Sequence, residues 1–182
     1  MKNKKQIVLV YFAFLLFFCT AMGAHATEAK TKKVKKEYGV FLGADPSQIK
    51  KMYGYQLVVI DAQYFSKKEI QALQKKGTKV YTYLNVGSLE NFRKYDKDYE
   101  HLAIGDYKNW EEEKWVDVSS PDWQKWIKKL SKSFYKKGVD GFFIDNCDVY
   151  DYAKTKKTFR GLTKILKDIK KLGKGVMING GD

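Results

Sequence analysis

Histidine and cysteine are almost missing from this chain: its 182 residues hold two of each. Cys19 and His25 also fall in an N-terminal stretch with the marks of an export signal. Lys2, Lys4 and Lys5 form a basic start, Ile7 to Phe18 are almost wholly apolar, and Ala24-His25-Ala26 is a small-x-small cleavage site. The apolar run is short for a membrane span, and Phe18 is too bulky to precede a lipid-modified cysteine. Cleavage after Ala26 is expected, giving a signal peptide over 1–26 and no membrane association afterwards. Only Cys147 and His101 then remain. That excludes an internal disulfide and a His/Cys metal cluster, and it leaves a Ser-His-Asp site only His101, in a charged, loop-like stretch. No Gly-x-Gly-x-x-Gly or phosphate-loop motif follows any expected strand. No cofactor and no metal is therefore expected, and carboxylates are what remain for acid–base work.

Acidic residues are the minority, 21 against 35 lysines and arginines, for a net charge of +14. Loss of three lysines with the signal leaves +11. Paired lysines recur along the expected helices, as in Lys67-Lys68, Lys128-Lys129 and Lys170-Lys171, and read first as solvated outer faces. An exported basic protein is also suited to an anionic cell wall. Nucleic acid is not an expected partner, since no recognition motif is present.

What is present is a repeating unit. Residues 27–37 are polar and read as a flexible leader; the folded domain is expected over 38–182. Short apolar strands at 38–43, 57–60, 79–84, 114–118, 141–144 and 175–179 alternate with helices. Asp45-Pro46 and Ser120-Pro121 open two of these helices, Ser66-Lys67-Lys68-Glu69 is a capping box, and Gly77, Gly138 and Gly173 close helices. In the last helix Phe159, Leu162, Ile165, Leu166 and Ile169 are expected to face the core. Residues 91–112 read as a long loop with a helical piece. Six βα units fit an α/β fold of parallel strands, and a (β/α)8 TIM barrel accounts for polar residues at several strand ends: Asp61, Asn85, Asp117, Asp145 and Asn179. A full barrel takes about 250 residues, so the barrel is expected to be incomplete.

Gly138-Val139-Asp140-Gly141-Phe142-Phe143-Ile144-Asp145-Asn146-Cys147-Asp148 is the central stretch. Three consecutive apolar residues imply a strand buried on both faces, with Asp145 at its carboxyl end, where parallel α/β folds place their chemistry. Glycoside hydrolysis needs two carboxyl groups. Asp145 is the first candidate, Asp148, Asp61 and Asp117 come next, and Asn146 is placed to orient a sugar hydroxyl. Tyr83, Trp110 and Trp115 are candidates for stacking on sugar faces; Trp123 and Trp126 belong to their helix.

These segments resemble glycoside hydrolase family 114. The resemblance rests on that stretch with Tyr150, on Tyr83-Leu84-Asn85-Val86-Gly87-Ser88-Leu89-Glu90 with Arg93, on Trp115-Val116-Asp117-Val118, and on Asn179-Gly180-Gly181-Asp182. It implies a TIM-barrel endo-α-1,4-polygalactosaminidase acting on galactosamine or N-acetylgalactosamine polysaccharide, and the export signal and basic charge make it secreted or wall-associated by expectation. Asp145 matches the catalytic aspartate, the nucleophile of a retaining mechanism. Asp61, Tyr83, Asn85, Glu90, Asp117, Asn146, Asp148 and Asn179 are expected to bind substrate. The family's acid is a glutamate on a later strand, past Asp182, so the sequence is expected to be a fragment of a longer enzyme. The alternatives are a non-catalytic, wall-associated carbohydrate-binding or scaffold protein, and a barrel hydrolase of another glycan.

Overall fold

The computed structural model describes residues 36–179. The expected signal peptide, the leader up to residue 35 and Gly180 to Asp182 lie outside the described residues. The leader's last two residues, Lys36 and Glu37, already belong to the first strand.

That strand, β1 (Lys36–Phe41), leads through a 3-10 helix (Pro46–Met52) to β2 (Tyr55–Ile60), α1 (Lys67–Lys75) and β3 (Lys79–Asn85). An excursion follows, made of β4 (Ser88–Glu90), α2 (Asp96–Tyr99), β5 (Ala103–Asp106) and β6 (Glu113–Val116). The chain then runs through α3 (Pro121–Lys137), β7 (Gly141–Asp145), α4 (Val149–Tyr152), α5 (Lys156–Lys170) and β8 (Gly175–Ile178). Five strands form one parallel sheet in the order β1-β2-β3-β7-β8.

The fourth expected barrel strand, 114–118, takes another place. Residues 113–116 pair antiparallel with β4 and β5 in a separate three-stranded sheet. β3 pairs directly with β7, so the edge of β3 that a fourth barrel strand would need is already occupied. The segment read as loop supplies one of the two partners, since β5 lies within 91–112.

The sheet has two apolar faces, as a barrel wall requires. Val58, Ile60, Val80, Leu84, Phe142 and Ile144 share the large cluster with the helices, among them Ile70, Leu73, Ile127, Phe134, Ile165 and Ile169. Each such side chain contributes about 1.5–3 kcal/mol on burial. Val59, Tyr83 and Phe143 cluster on the opposite, inner face, with Leu57 and Tyr81 against them. The capping box of α1 is formed as expected. In α5 the buried set is Thr158, Gly161, Leu162, Ile165 and Ile169, which turns Phe159 out to 57% exposure, against an edge of Tyr150. One position of offset on a helix is about 100°, enough to move Phe159 off the core stripe. Lys137, at the end of α3, reaches across to the β2 loop and donates to the carbonyls of Ala62 (2.6 Å) and Phe65 (2.9 Å).

Among the described residues no helix is long and apolar enough to cross a membrane, and no group of three or more His, Cys, Asp or Glu is arranged to hold a metal ion.

Candidate active site

Parallel strands end on the same side, and the register sets their last residues beside one another. Asn85 pairs with Asp145, and the Asn179 amide continues the ladder by donating to the Ile144 carbonyl at 2.8 Å. Asp145 is thus flanked by two amides, and Asn179 Nδ2 donates to its Oδ1 at 2.9 Å. The Tyr83 phenol is a second neighbour of this carboxylate, within hydrogen-bonding reach. A cavity of about 730 Å³ opens over these strand ends, lined by Asp61, Tyr83, Glu90, Asp145, Asn146 and Asn179 among others.

Two hydrogen-bonded clusters build its walls. In the first, Arg93 is almost wholly buried, its guanidinium joining Asp61 after β2 to Glu90 at the end of β4. Nε donates to Glu90 Oε2 at 2.6 Å and Nη1 to Asp61 Oδ2. The Tyr83 hydroxyl donates to Glu90 Oε1 at 3.1 Å. Burial by itself favours loss of the Arg93 proton, but the hydrogen bonds and charges of Glu90 and Asp61 outweigh it and hold that proton more tightly than usual. Burial first, then the charges of Glu90 and Asp145, raise the Tyr83 phenol well above its ordinary range. Breaking one partner from such a buried pair costs about 3–5 kcal/mol.

The second cluster centres on Glu113, which opens β6. The Ser88 hydroxyl and Asn146 Nδ2 (2.9 Å) both donate to its Oε2. Asn146 Nδ2 also donates to Ser88 Oγ at 2.7 Å. Glu113 itself lines the cavity. Burial, reinforced by the charges of Glu90 and Asp145, raises the proton affinity of Glu113, against the hydrogen bonds from Ser88 and Asn146. Asn146 holds this position with φ 59°, in the left-handed region that asparagine tolerates better than most residues. Gly87 makes the close approach possible: a Cβ there would meet the Asn146 carbonyl oxygen at 1.8 Å.

The structure brings Asp61, Tyr83, Glu90, Asp145, Asn146 and Asn179 to one cavity, and three expected residues fall elsewhere. Asn85 is spent on the turn into β4: its Oδ1 accepts from the amides of Gly87 and Ser88, and its Nδ2 donates to Ser88 Oγ. Asp117 does not line the cavity. It follows a strand of the small sheet, and its carboxylate accepts from Ser119 and from Lys157 Nζ at 2.9 Å. Asp148 starts α4 and is reached by the Tyr107 hydroxyl at 3.3 Å, with Tyr107 lining the cavity in its place. Burial and the Asp148 charge push the Tyr107 phenol up to about 12. Cys147 is buried, which lifts its thiol to about 11.

Of the aromatic candidates, Trp110 lines the cavity and is 59% exposed. Tyr83 contributes from a position only 6% exposed, and Trp115 is buried between Tyr107 and Tyr152, its ring 3.9 Å and 5.6 Å from theirs. Asp45, Glu112 and Glu113 line the cavity without having been expected there. Glu112 and Glu113 lie in an acidic run with no strand-end signature, and only the pairing of β6 with β4 brings Glu113 to Asn146.

Parallel strands with helices on one face and a carboxylate-rich mouth at their carboxyl ends are the pattern of a (β/α)8-barrel protein, of which five sheet strands are present among the described residues. The chain belongs to Glycoside-hydrolase family GH114, whose model matches residues 20–178. The fold is similar to the glycoside hydrolase domain of PelA from Pseudomonas aeruginosa, with a TM-score of 0.68 and 18% identity over 81% of this chain and 60% of that one. It is also similar to Aspergillus fumigatus Ega3, solved in complex with galactosamine (TM-score 0.63, 21% identity, 85% of this chain and 63% of that one). An α-galactosidase from Thermus thermophilus is a more distant likeness, with a TM-score of 0.60 and 8% identity over 80% of this chain and 38% of that one. The chain thus spans about 60% of the length of the PelA domain. No curated protein sequence matches it significantly.

Proposed function

We propose that this protein is a secreted glycoside hydrolase acting on α-1,4-linked galactosamine-containing polysaccharide, with Asp145 as its nucleophile. The observation that carries the reading is the placement of Asp145 at the carboxyl end of a central strand, one oxygen held by Asn179, in a cavity of ligand-binding size. In a retaining reaction the carboxylate attacks the anomeric carbon and the glycosidic oxygen leaves with a proton from a second carboxyl group; water then releases the sugar from Asp145. The resemblance assigns that proton to a glutamate on a later strand. Tyr83, Asn146 and Asn179 surround the Asp145 position, and Trp110 offers an exposed ring face for a sugar.

The charge of the cavity supports an amino-sugar substrate. Six carboxylates line it (Asp45, Asp61, Glu90, Glu112, Glu113 and Asp145) against the single guanidinium of Arg93. A polymer carrying free ammonium groups is repelled by a protein of net charge +11 after loss of the signal, and a local acidic mouth offsets that repulsion. Ega3 was solved with galactosamine, which fits this chemistry.

The test is incubation of the enzyme, with the later strand and its glutamate present, with partly de-acetylated galactosaminan. Released oligosaccharides, lost by about 10²–10⁴-fold or more in Asp145→Asn with an unchanged circular dichroism spectrum, support the reading. Undiminished release by that variant would remove Asp145 from the reaction. Retention of polymer without release would make the protein a carbohydrate-binding module.

A further inference from the structure

The positive charge of this protein is concentrated on one flank. Helices α3 and α5 carry twelve basic residues and two acidic ones, Asp122 and Asp168. The two helices pack side by side, and Lys128 of α3 reaches Asp168 of α5 at 3.5 Å. A trough follows α5 along this flank in two adjoining hollows. The first, about 480 Å³, is lined by Lys156, Lys157, Arg160 and Lys164, with Ser119 and Gln124 as its other wall. The second, about 330 Å³, shares Arg160 and Lys164 and adds Lys167 and Lys171. Neither has a lining residue in common with the acidic cavity.

Lys156, Arg160, Lys164, Lys167 and Lys171 follow a spacing of four, four, three and four residues, which keeps them on one helical face. At 1.5 Å per residue their row is about 22 Å long, with a cation every 5–6 Å. Asp168 engages Lys164 and Lys171, and Asp117 engages Lys157. Lys156, Arg160 and Lys167 have no ion-pair partner among the described residues and remain for an external anion. The row is seated closely: a Cβ on Gly161 would meet the Val118 carbonyl oxygen at 2.6 Å, so α5 lies directly on the 118–119 backbone that forms the far wall.

We propose that this trough binds a linear, phosphate-bearing polyanion and holds the protein on an anionic matrix. Lysines and an arginine at short, regular intervals meet successive phosphates of an extended chain, and each contact releases a counterion. Two other anionic partners fit less well. Single-stranded nucleic acid needs aromatic platforms for its bases, and Phe159 is the one exposed ring in the trough. A membrane-lying helix inserts an apolar face, whereas Leu162, Ile165 and Ile169 of α5 are already buried in the core. The inference stands apart from any reaction at the strand ends.

The experiment titrates the full chain against linear inorganic polyphosphate over a range of salt concentrations. Lys156→Glu/Arg160→Glu/Lys167→Glu should weaken binding at least tenfold and lower the log–log salt slope by about 2, from about 0.7 per lost phosphate contact. A control with the same charge change on α1, Lys67→Glu/Lys68→Glu/Lys75→Glu, should leave both nearly unchanged. Equal losses in the two variants would mean that net charge alone attracts the polymer, and would overturn the site. Equally tight, trough-dependent binding of a single-stranded oligonucleotide or of anionic lipid vesicles would overturn the assigned partner.

Discussion

At Glu113 one carboxyl group has its two oxygens in different surroundings. Oε2 accepts from Ser88 and Asn146, so a proton on this residue resides on Oε1. Burial makes the folded protein bind that proton more tightly than the unfolded chain, whose glutamate has the ordinary value of 4.5. The sign follows from linkage: the contribution is fully present below that value and is lost as pH rises through the higher folded one. Glu113→Gln keeps an oxygen to accept from Ser88 and Asn146 and an amide where the O–H would be, but it cannot ionise. As pH rises above about 4.5 the variant should therefore gain stability over the parent, read as a difference in thermal midpoint that widens until the folded value is passed. A constant difference would show that Glu113 ionises without cost to the fold.

At the scale of elements, local chemistry and tertiary fit can pull in opposite directions, and Gly161 in α5 is the clearest instance. Helix propensity alone favours alanine there by about 1 kcal/mol. The added methyl would lie 2.6 Å from the Val118 carbonyl oxygen and 2.7 Å from Ser119 Cα, both backbone atoms that cannot rotate aside. Overpacking of this kind costs about 1–3 kcal/mol, so Gly161→Ala should lower the urea midpoint despite its better propensity. An increase would mean that α5 can lift off the 118–119 segment freely. The same opposition divides what the sequence made legible from what it hid. Strands buried on both faces announce themselves as unbroken apolar runs, and the Ser66–Glu69 capping box as a spacing of three, so the parallel sheet, α1, α3 and the Asp145 strand end could all be read. Residues 113–116 carry the same kind of short apolar signal, yet β7 occupies the edge of β3 they would have needed. That is a fact of pairing between distant segments, and it took Asp117 away from the mouth and brought Glu113 in. Asp61 and Asp145 were legible because parallel strand ends confer a common position whatever the neighbours, whereas Glu90 was marked only by the family resemblance. The Arg93 bridge between Asp61 and Glu90 depends on a loop's path, and in the sequence only the family resemblance marked it.

Across the whole molecule, charge is sorted by position. The mouth gathers six carboxylates around one guanidinium, while the α3–α5 flank carries most of its lysines without counterions. Net charge alone would make the protein repel a cationic polymer, but interactions between exposed charges fade beyond a Debye length of about 10 Å at 0.1 M salt. Near the mouth, therefore, its own carboxylates decide. If the amino-sugar reading holds, a galactosamine oligosaccharide should bind more weakly as salt rises, and its N-acetylated counterpart, with no charge, should respond little. Glu112→Gln, at the exposed rim of the cavity, should weaken the charged ligand by only about 0.2–1 kcal/mol and leave the acetylated one unchanged, because a rim carboxylate in water contributes little beyond steering. Calorimetric titration of both oligosaccharides at two salt concentrations measures all four affinities. Equal salt dependence for the two ligands would place recognition in sugar shape and hydroxyl contacts, and the acidic mouth would then serve the reacting carboxylate and not the choice of substrate.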